Sequence, residues 1–167
     1  KKYNVFGLIF ITFSFYCIYC LRIEFNNDYF YILFVTLVCV STDIGGYICG
    51  KIFKGPKLTK FSPNKTYSGM IGGYLLSVIL ISNFIKYNYA PIPINFTEIY
   101  IFLVIIISTI SQLGDILISY FKRRSKIKDT GKLIPGHGGI LDRIDGMIFA
   151  FPAFYILIKL NILIFFK

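Results

Sequence analysis

Charge is scarce in this chain of 167 residues: only 16% are Asp, Glu, Lys or Arg, and just 8 are acidic. A soluble domain carries about 25% charged residues. With 56% apolar residues and a mean hydropathy of +0.68, the chain reads as a membrane protein. Trp is absent and His137 is the single His. One imidazole makes a poor zinc site, and no Ser or Cys beside a matching acid suggests a hydrolase triad. No GxxxxGK[ST] string occurs, which excludes a P-loop. A cleavable signal pattern is also lacking, because the opening Lys1-Lys2 leads into one apolar stretch after another. The Cys17/Cys20 spacing matches half of a metal or redox motif, but nothing completes it. Together with Cys39 and Cys49 these residues read as small buried hydrophobes.

What is present is apolar sequence in long runs. Five segments are able to span: about Asn4 to Leu21, Tyr29 to about Gly50, Gly69 to Ile85, Ile99 to Tyr120, and about Ile144 to Phe166. Each is long enough, at a rise of about 1.5 Å per residue, for a hydrocarbon core of about 30 Å. The runs are continuously apolar rather than alternating, so helices are expected and a barrel is not. The expected fold is an all-α, polytopic transmembrane helical bundle of about five spans, with residues 1–167 forming a single membrane domain. No internal repeat is visible.

The net charge of +10 would suggest nucleic acid in a soluble protein. Here orientation in the bilayer accounts for it, and no nucleic-acid partner is expected. Lys1, Lys2, the loop with Lys51 to Lys65, and the stretch from Lys122 to Arg143 hold 14 of the 18 basic residues. With five spans all of them fall on one side, which should be cytoplasmic. A positive-inside bias explains much of the charge without any ligand.

The acids need another explanation. Asp43 lies well inside the second run, Asp115 near the cytoplasmic end of the fourth, and Asp142 and Asp145 stand three apart at the start of the fifth. Ionisable groups at such depth are costly unless paired, metal-bound or facing water. On a helix beginning at or before Asp142, both acids share a face. If Asp115 converges with them, three carboxylates without basic partners would repel, whereas a divalent cation such as Mg2+ wants this set of oxygens. The alternative is a structural salt bridge from Asp142 or Asp145 to Arg143 or Arg123.

Two loops carry features suited to phosphate. The run IPGHGG places Gly136, Gly138 and Gly139 ahead of a helix start, where backbone N–H groups can approach an anion. SPNKT brings Ser62, Asn64, Lys65 and Thr66 together before the third run. His137 either donates to phosphate or shapes the Gly turn. The repeated IGGY strings at Ile44 to Tyr47 and Ile71 to Tyr74 read as close helix packing.

The stretch SYFKRRSKIKDTGKLIPGHGGILDRID, from Ser119 to Asp145, resembles the signature of the phosphatidate cytidylyltransferases, also called CDP-diglyceride synthases. The matching residues are Ser119, Lys122 with Arg123, Lys128 with Asp129, His137 to Gly139, and Leu141 to Asp145. QLGD at Gln112 to Asp115, TDIGGYICGKIFKGPKL at Thr42 to Leu58 and SPNKTYSGMIGG at Ser62 to Gly73 extend the likeness across about Val40 to Phe154. Where the family usually has an aromatic, often Trp, and then an acid or Gln after KT, this chain has Tyr67 and Ser68. Members normally carry further membrane helices at the front, so the resemblance implies a compact member or the C-terminal catalytic portion of one.

The resemblance implies transfer of a cytidylyl group from CTP to phosphatidate in phospholipid biosynthesis, at the cytoplasmic face of a bacterial inner membrane. It implies Mg2+, alone or with a second cation, on Asp115, Asp142 and Asp145. Lys122, Arg123, Lys128, Asp129, His137 and Arg143 join the catalytic set. Asp43, Ser62, Asn64, Lys65, Thr66, Ser119, Gly138 and Gly139 surround the substrates. Partners would be CTP, phosphatidate and membrane lipid, with a homodimer admitted. A competing reading keeps CTP but changes the lipid to an ether-linked phosphatidate analogue or a polyprenol. A more distant one is a transporter, against which the gathering of acids and bases on one side argues.

Overall fold

The computed structural model describes residues 2–23, 29–59, 62, 65–89, 97–127, 130–131, 139 and 141–160. The apolar runs form helices α1 (Lys2–Ile23), α2 (Phe30–Phe53), α3 (Tyr67–Phe84), α4 (Thr97–Arg124), α5 (Leu141–Ile144) and α6 (Met147–Lys159). A π-helical turn, Ile85–Tyr89, extends α3. Among the described residues four helices are long and apolar enough to cross a bilayer, and α6 is a shorter apolar helix. The chain is thus an all-α, multi-pass membrane protein. The expected fifth span differs at its start: the chain breaks at Asp145 and Gly146 between α5 and α6, and residues 161–167 lie outside the described set.

Because lipid is as apolar as a Leu side chain, these helices associate through close packing and hydrogen bonds rather than through escape from water. Small residues let α2 and α3 approach most closely. A Cβ on Gly45 would strike the Gly72 carbonyl oxygen, one on Gly69 would lie 2.7 Å from the Gly46 oxygen, and one on Gly73 would lie 2.8 Å from the Thr42 oxygen. The IGGY strings are therefore packing sites. Polar contacts tie in α4: Thr42 Oγ1 lies 2.8 Å from Ser108 Oγ, and Tyr74 Oη lies 2.9 Å from Thr109 Oγ1. The apolar centre gathers Phe34, Val38, Leu103, Ile107 and Phe154, with the Phe34 and Phe154 rings stacked at 5.6 Å.

Pro152 sits inside α6 and has no N–H for the carbonyl one turn back, that of Ile148. Ser14 of α1 donates to that carbonyl at 2.7 Å, so the lost helical bond is replaced from the neighbouring helix. Such replacement is what permits proline in a membrane helix. Cys17, Cys20 and Cys39 are buried free thiols, as expected of small apolar fillers, and Cys49 is half-buried beside Gly72.

Candidate active site

The loop joining α2 to α3 is fixed by its backbone. Lys54 ends α2 in the left-handed region at φ 43°, its N–H donating to the Gly50 carbonyl at 3.2 Å. The chain then folds back through an isolated bridge between Lys57 and Thr66, with Leu58 N–H donating to Lys65 O at 2.8 Å and Tyr67 N–H to Pro56 O at 3.1 Å. Thr66 caps α3 by accepting from Gly69 N–H at 3.1 Å, the service expected of a Thr at that position. Ser62 turns the loop, its carbonyl accepting from Lys65 N–H at 3.1 Å. This frame points Lys65 at α4, where Nζ meets Asp115 Oδ2 at 2.6 Å.

A second cation–acid group forms at the far end of α4. Lys122 Nζ lies 3.0 Å from Asp142 Oδ1 and 3.6 Å from Asp145 Oδ2, with all three side chains largely buried. Three of the acids at depth therefore have lysine partners: Lys65 for Asp115, and Lys122 for Asp142 and Asp145. Asp142 Oδ2 also accepts from the N–H groups of Gly139 (2.8 Å) and Thr130 (2.9 Å), which binds the loop before α5 to the cluster. Burial alone would raise the Asp142 pKa, but these hydrogen bonds and the Lys122 ammonium outweigh it and hold the carboxyl at about 2. Asp145 moves the other way. Burial, followed by repulsion from nearby Asp115, raises its pKa against the pull of Lys122 and Gly146 N–H.

Gly146 makes the meeting of α4 with the α5–α6 joint possible. A Cβ there would lie 2.5 Å from Ser111 Oγ and 2.6 Å from Asp115 Oδ1. Asp115 Oδ1 and Ser111 Oγ are buried and have no hydrogen-bond partner among the described residues. A buried carboxylate oxygen left unpaired costs at least about 1–3 kcal/mol, so Asp115 calls for either a hydrogen bond from the neighbouring Asp145 carboxyl or a further group. Among the described residues no three His, Cys, Asp or Glu side chains stand together to hold an ion. Asp115 and Asp145 fit a cation that draws its remaining ligands from elsewhere. Both oxygens of Asp142 are already hydrogen-bonded, which suits it to orienting Lys122.

Between α2, α3 and α4 lies a cavity of about 210 Å³ whose walls include Asp43, Lys65, Thr66 and Gln112. Ser119 follows Asp115 by one helical turn and is half-buried, while Arg123 and Arg143 are exposed near the acid cluster in sequence. Asn64, Lys128, Asp129, His137 and Gly138 lie outside the described residues. Sequence reasoning named Gln112 only within the QLGD match and did not single out Ser111, Thr130 or Gly146. Thr130 acts through its backbone, which leaves no trace in residue type. Gly146 was legible only as a glycine following an acid.

Comparison with known proteins places the sequence of the chain in a family. The profile described as "Cytidylyltransferase family" matches residues 1–161. The phosphatidate cytidylyltransferase of Brucella suis biovar 1 (strain 1330) is 38% identical over 158 residues, covering 90% of this chain and 54% of that protein. That of Bacillus subtilis (strain 168) is 41% identical over 134 residues, covering 78% and 48%. That of Rickettsia prowazekii (strain Madrid E) is 38% identical over 159 residues, covering 92% and 69%. The chain spans about half the length of the first two. With the profile covering nearly the whole chain, and with the Ser119 to Asp145 signature built around the Lys122 cluster, the chain belongs to the phosphatidate cytidylyltransferase (CDP-diglyceride synthase) family.

Proposed function

We propose that the chain, with residues 1–167 as one catalytic membrane domain, converts CTP and phosphatidate to CDP-diacylglycerol and diphosphate, with its site facing the cytoplasm of a bacterial membrane. The observation that carries this reading is the pair of cation–acid clusters, Lys65 with Asp115 and Lys122 with Asp142 and Asp145, gathered from two loops and two helices. A lipid phosphate must meet a nucleotide triphosphate there, so the site needs cations for two anions and oxygens for a metal.

In the reaction a phosphate oxygen of phosphatidate bonds to the α-phosphorus of CTP. The bond from that phosphorus to the oxygen bridging to the β-phosphate breaks, and diphosphate leaves. The nucleophile is already anionic near neutral pH, so no protein base is obligatory. Asp115 and Asp145 would hold Mg2+, with Asp142 close by, and the ion when bound supplies neutralisation of the phosphate oxygens. Lys65 and Lys122 can turn from the carboxylates to the phosphates, with Arg123 and Arg143 adding planar, two-pronged donors. Lys128, Asp129, His137, Gly138 and Gly139 join this set through the signature and Asn64 through the SPNKT loop, and Asp142 holds the backbone N–H groups of Thr130 and Gly139. The cavity beside Lys65 and Asp43, of about 210 Å³, offers room for part of the nucleotide.

Asp145→Asn tests the reading. It keeps size and removes a metal-binding charge, so diphosphate release from CTP with phosphatidate should be abolished while the protein remains inserted in the membrane. Wild-type activity should likewise vanish in a chelator. Near-normal turnover by the variant, or wild-type activity only with an ether-linked lipid or a polyprenol, would overturn the assignment.

A further inference from the structure

Asp43 is the acid of a spanning helix that finds no lysine. Asp115, Asp142 and Asp145 each have an ammonium within 3.6 Å, whereas the Asp43 carboxylate makes no hydrogen bond or ion pair among the described residues. It is exposed instead in the wall of the cavity of about 210 Å³ between α2, α3 and α4. Most other polar groups of that wall are committed. Thr42 Oγ1 lies 2.7 Å from the Val38 carbonyl and 2.8 Å from Ser108 Oγ, and Thr66 Oγ1 accepts from Gly69 N–H. Lys65 Nζ is 2.6 Å from Asp115, and Tyr47 Oη accepts from Lys51 at 3.5 Å. Gln112 donates one N–H toward the Met70 carbonyl at 3.4 Å, which leaves its amide oxygen and second N–H unused among the described residues.

The spare capacity of the cavity is thus a carboxylate and an amide. An ionised carboxylate only accepts, so an occupant must bring an N–H or O–H donor to Asp43, and phosphate oxygens are repelled. The rest of the wall suits a flat ring: Gly46 and Gly69 have no side chain, and Leu58 and Met70 are apolar. An apolar cavity of about 150 Å³ takes up benzene, so a six-membered ring enters here. The thioether of Met70 adds a favourable contact with such a ring. Lys65 belongs to the same wall and also reaches Asp115, which sets the cavity beside the cluster where phosphates are to react.

We infer that Asp43 selects the base of the nucleotide: the cavity seats cytosine, whose 4-amino group donates to the Asp43 carboxylate while the phosphates lie toward Lys65. The inference rests on the proposed function and names the residue that restricts it to CTP. Uracil carries a carbonyl oxygen where cytosine carries the amino group, so acceptor would face acceptor. Gln112 cannot make this choice, because its amide turns to donate or to accept. Asp43 can only accept, and acids read the same amino group of cytosine in nucleic acids. A site built around a substrate N–H rejects the analogue lacking it, because the protein group is then left unpaired.

The test compares CTP with UTP in vesicles containing the protein, phosphatidate and Mg2+, reading kcat/KM for each nucleotide. Wild type should prefer CTP by at least about 100-fold. Asp43→Asn, whose amide can accept from cytosine or donate to uracil, should cut that ratio by at least about ten-fold and leave KM for phosphatidate unchanged. A ratio that stays constant while both nucleotides lose turnover alike would make Asp43 a structural or metal-binding group and overturn the inference. Equal use of UTP by wild type would overturn it too. If the variant fails to insert, photolabelling of wild type with 5-azido-CTP decides, with no phosphatidate present. Adducts on Leu58 or Met70 that CTP suppresses and UTP does not support the inference, and adducts outside the cavity overturn it. Should wild type form no CDP-lipid from CTP, the proposed function fails and the inference with it, whereas an unchanged nucleotide ratio alone leaves that function standing.

Discussion

Gly146→Ala isolates the role of close approach at the site. Gly146 has φ −69° and ψ −38°, a conformation any L-residue adopts, so an alanine there adds no backbone strain. As the N-cap of α6 it loses some stability, because glycine is preferred to alanine there. The larger cost is steric. The new Cβ would lie 2.5 Å from Ser111 Oγ, 2.6 Å from Asp115 Oδ1 and 3.0 Å from the Ser111 carbonyl oxygen, where ordinary contact begins at 3.4 Å. Asp115 Oδ1 and the joint must therefore separate by about 0.8 Å, at an overpacking cost of about 1–3 kcal/mol. The two costs add, and the net loss of stability should be about 2–4 kcal/mol. Activity falls as well, because the shift displaces the Asp115 carboxylate relative to Asp145. Misplacement on this scale costs about 100-fold in turnover. Gly7→Ala provides the control, since nothing lies within 4 Å of a Cβ there. Thermal unfolding in detergent and CDP-diacylglycerol formation should thus be nearly normal for Gly7→Ala, while Gly146→Ala folds but turns over at about 1%. Wild-type turnover by Gly146→Ala would refute the reasoning that the joint must touch α4.

The remaining predictions concern charge and orientation. The Asp142 carboxyl is held at about 2, below its ordinary 3.8, so its stabilisation is present above pH 3.8 and lost as pH falls toward 2. By linkage it amounts to about 2 kcal/mol; the gap in unfolding midpoint between wild type and Asp142→Asn, measured in chelator, should be constant above pH 5 and narrow below pH 4, and a gap that widens on acidification would contradict this. With the native cysteines replaced, single cysteines at positions 57 and 126 should be protected in intact cells from an impermeant reagent while one at position 89 reacts. Opposite results for 57 and 126 would contradict the pairing of Lys65 with the Lys122 side of the bundle.

The spans were legible because lipid demands continuous apolar helices, and that demand is written directly in residue type. Interruption of the last run was not. Only the contact of Gly146 with Ser111 and Asp115 places a joint between Ile144 and Met147, and that contact comes from α4, more than thirty positions earlier in the chain. The acids were visible as outliers in an apolar setting, but their partners were not. Lys65 reaches Asp115 across 50 positions because a backbone bridge at Lys57 and Thr66 folds its loop, and side-chain types do not specify that bridge. Lys122 was chosen by the sequence signature as a phosphate ligand. Its engagement with both Asp142 and Asp145 reflects packing of the α5–α6 joint onto α4.

The central claim, that a cytidylyl group passes to a lipid phosphate at this site, is tested most directly by following which phosphorus of CTP enters the lipid. Protein in vesicles with phosphatidate and Mg2+ is given CTP labelled at either the α- or the γ-phosphorus, and the organic phase is analysed. Label from the α-position should appear in lipid and label from the γ-position in free diphosphate. Lipid carrying the γ-label, with CDP left in solution, would show phosphoryl rather than cytidylyl transfer and contradict the account.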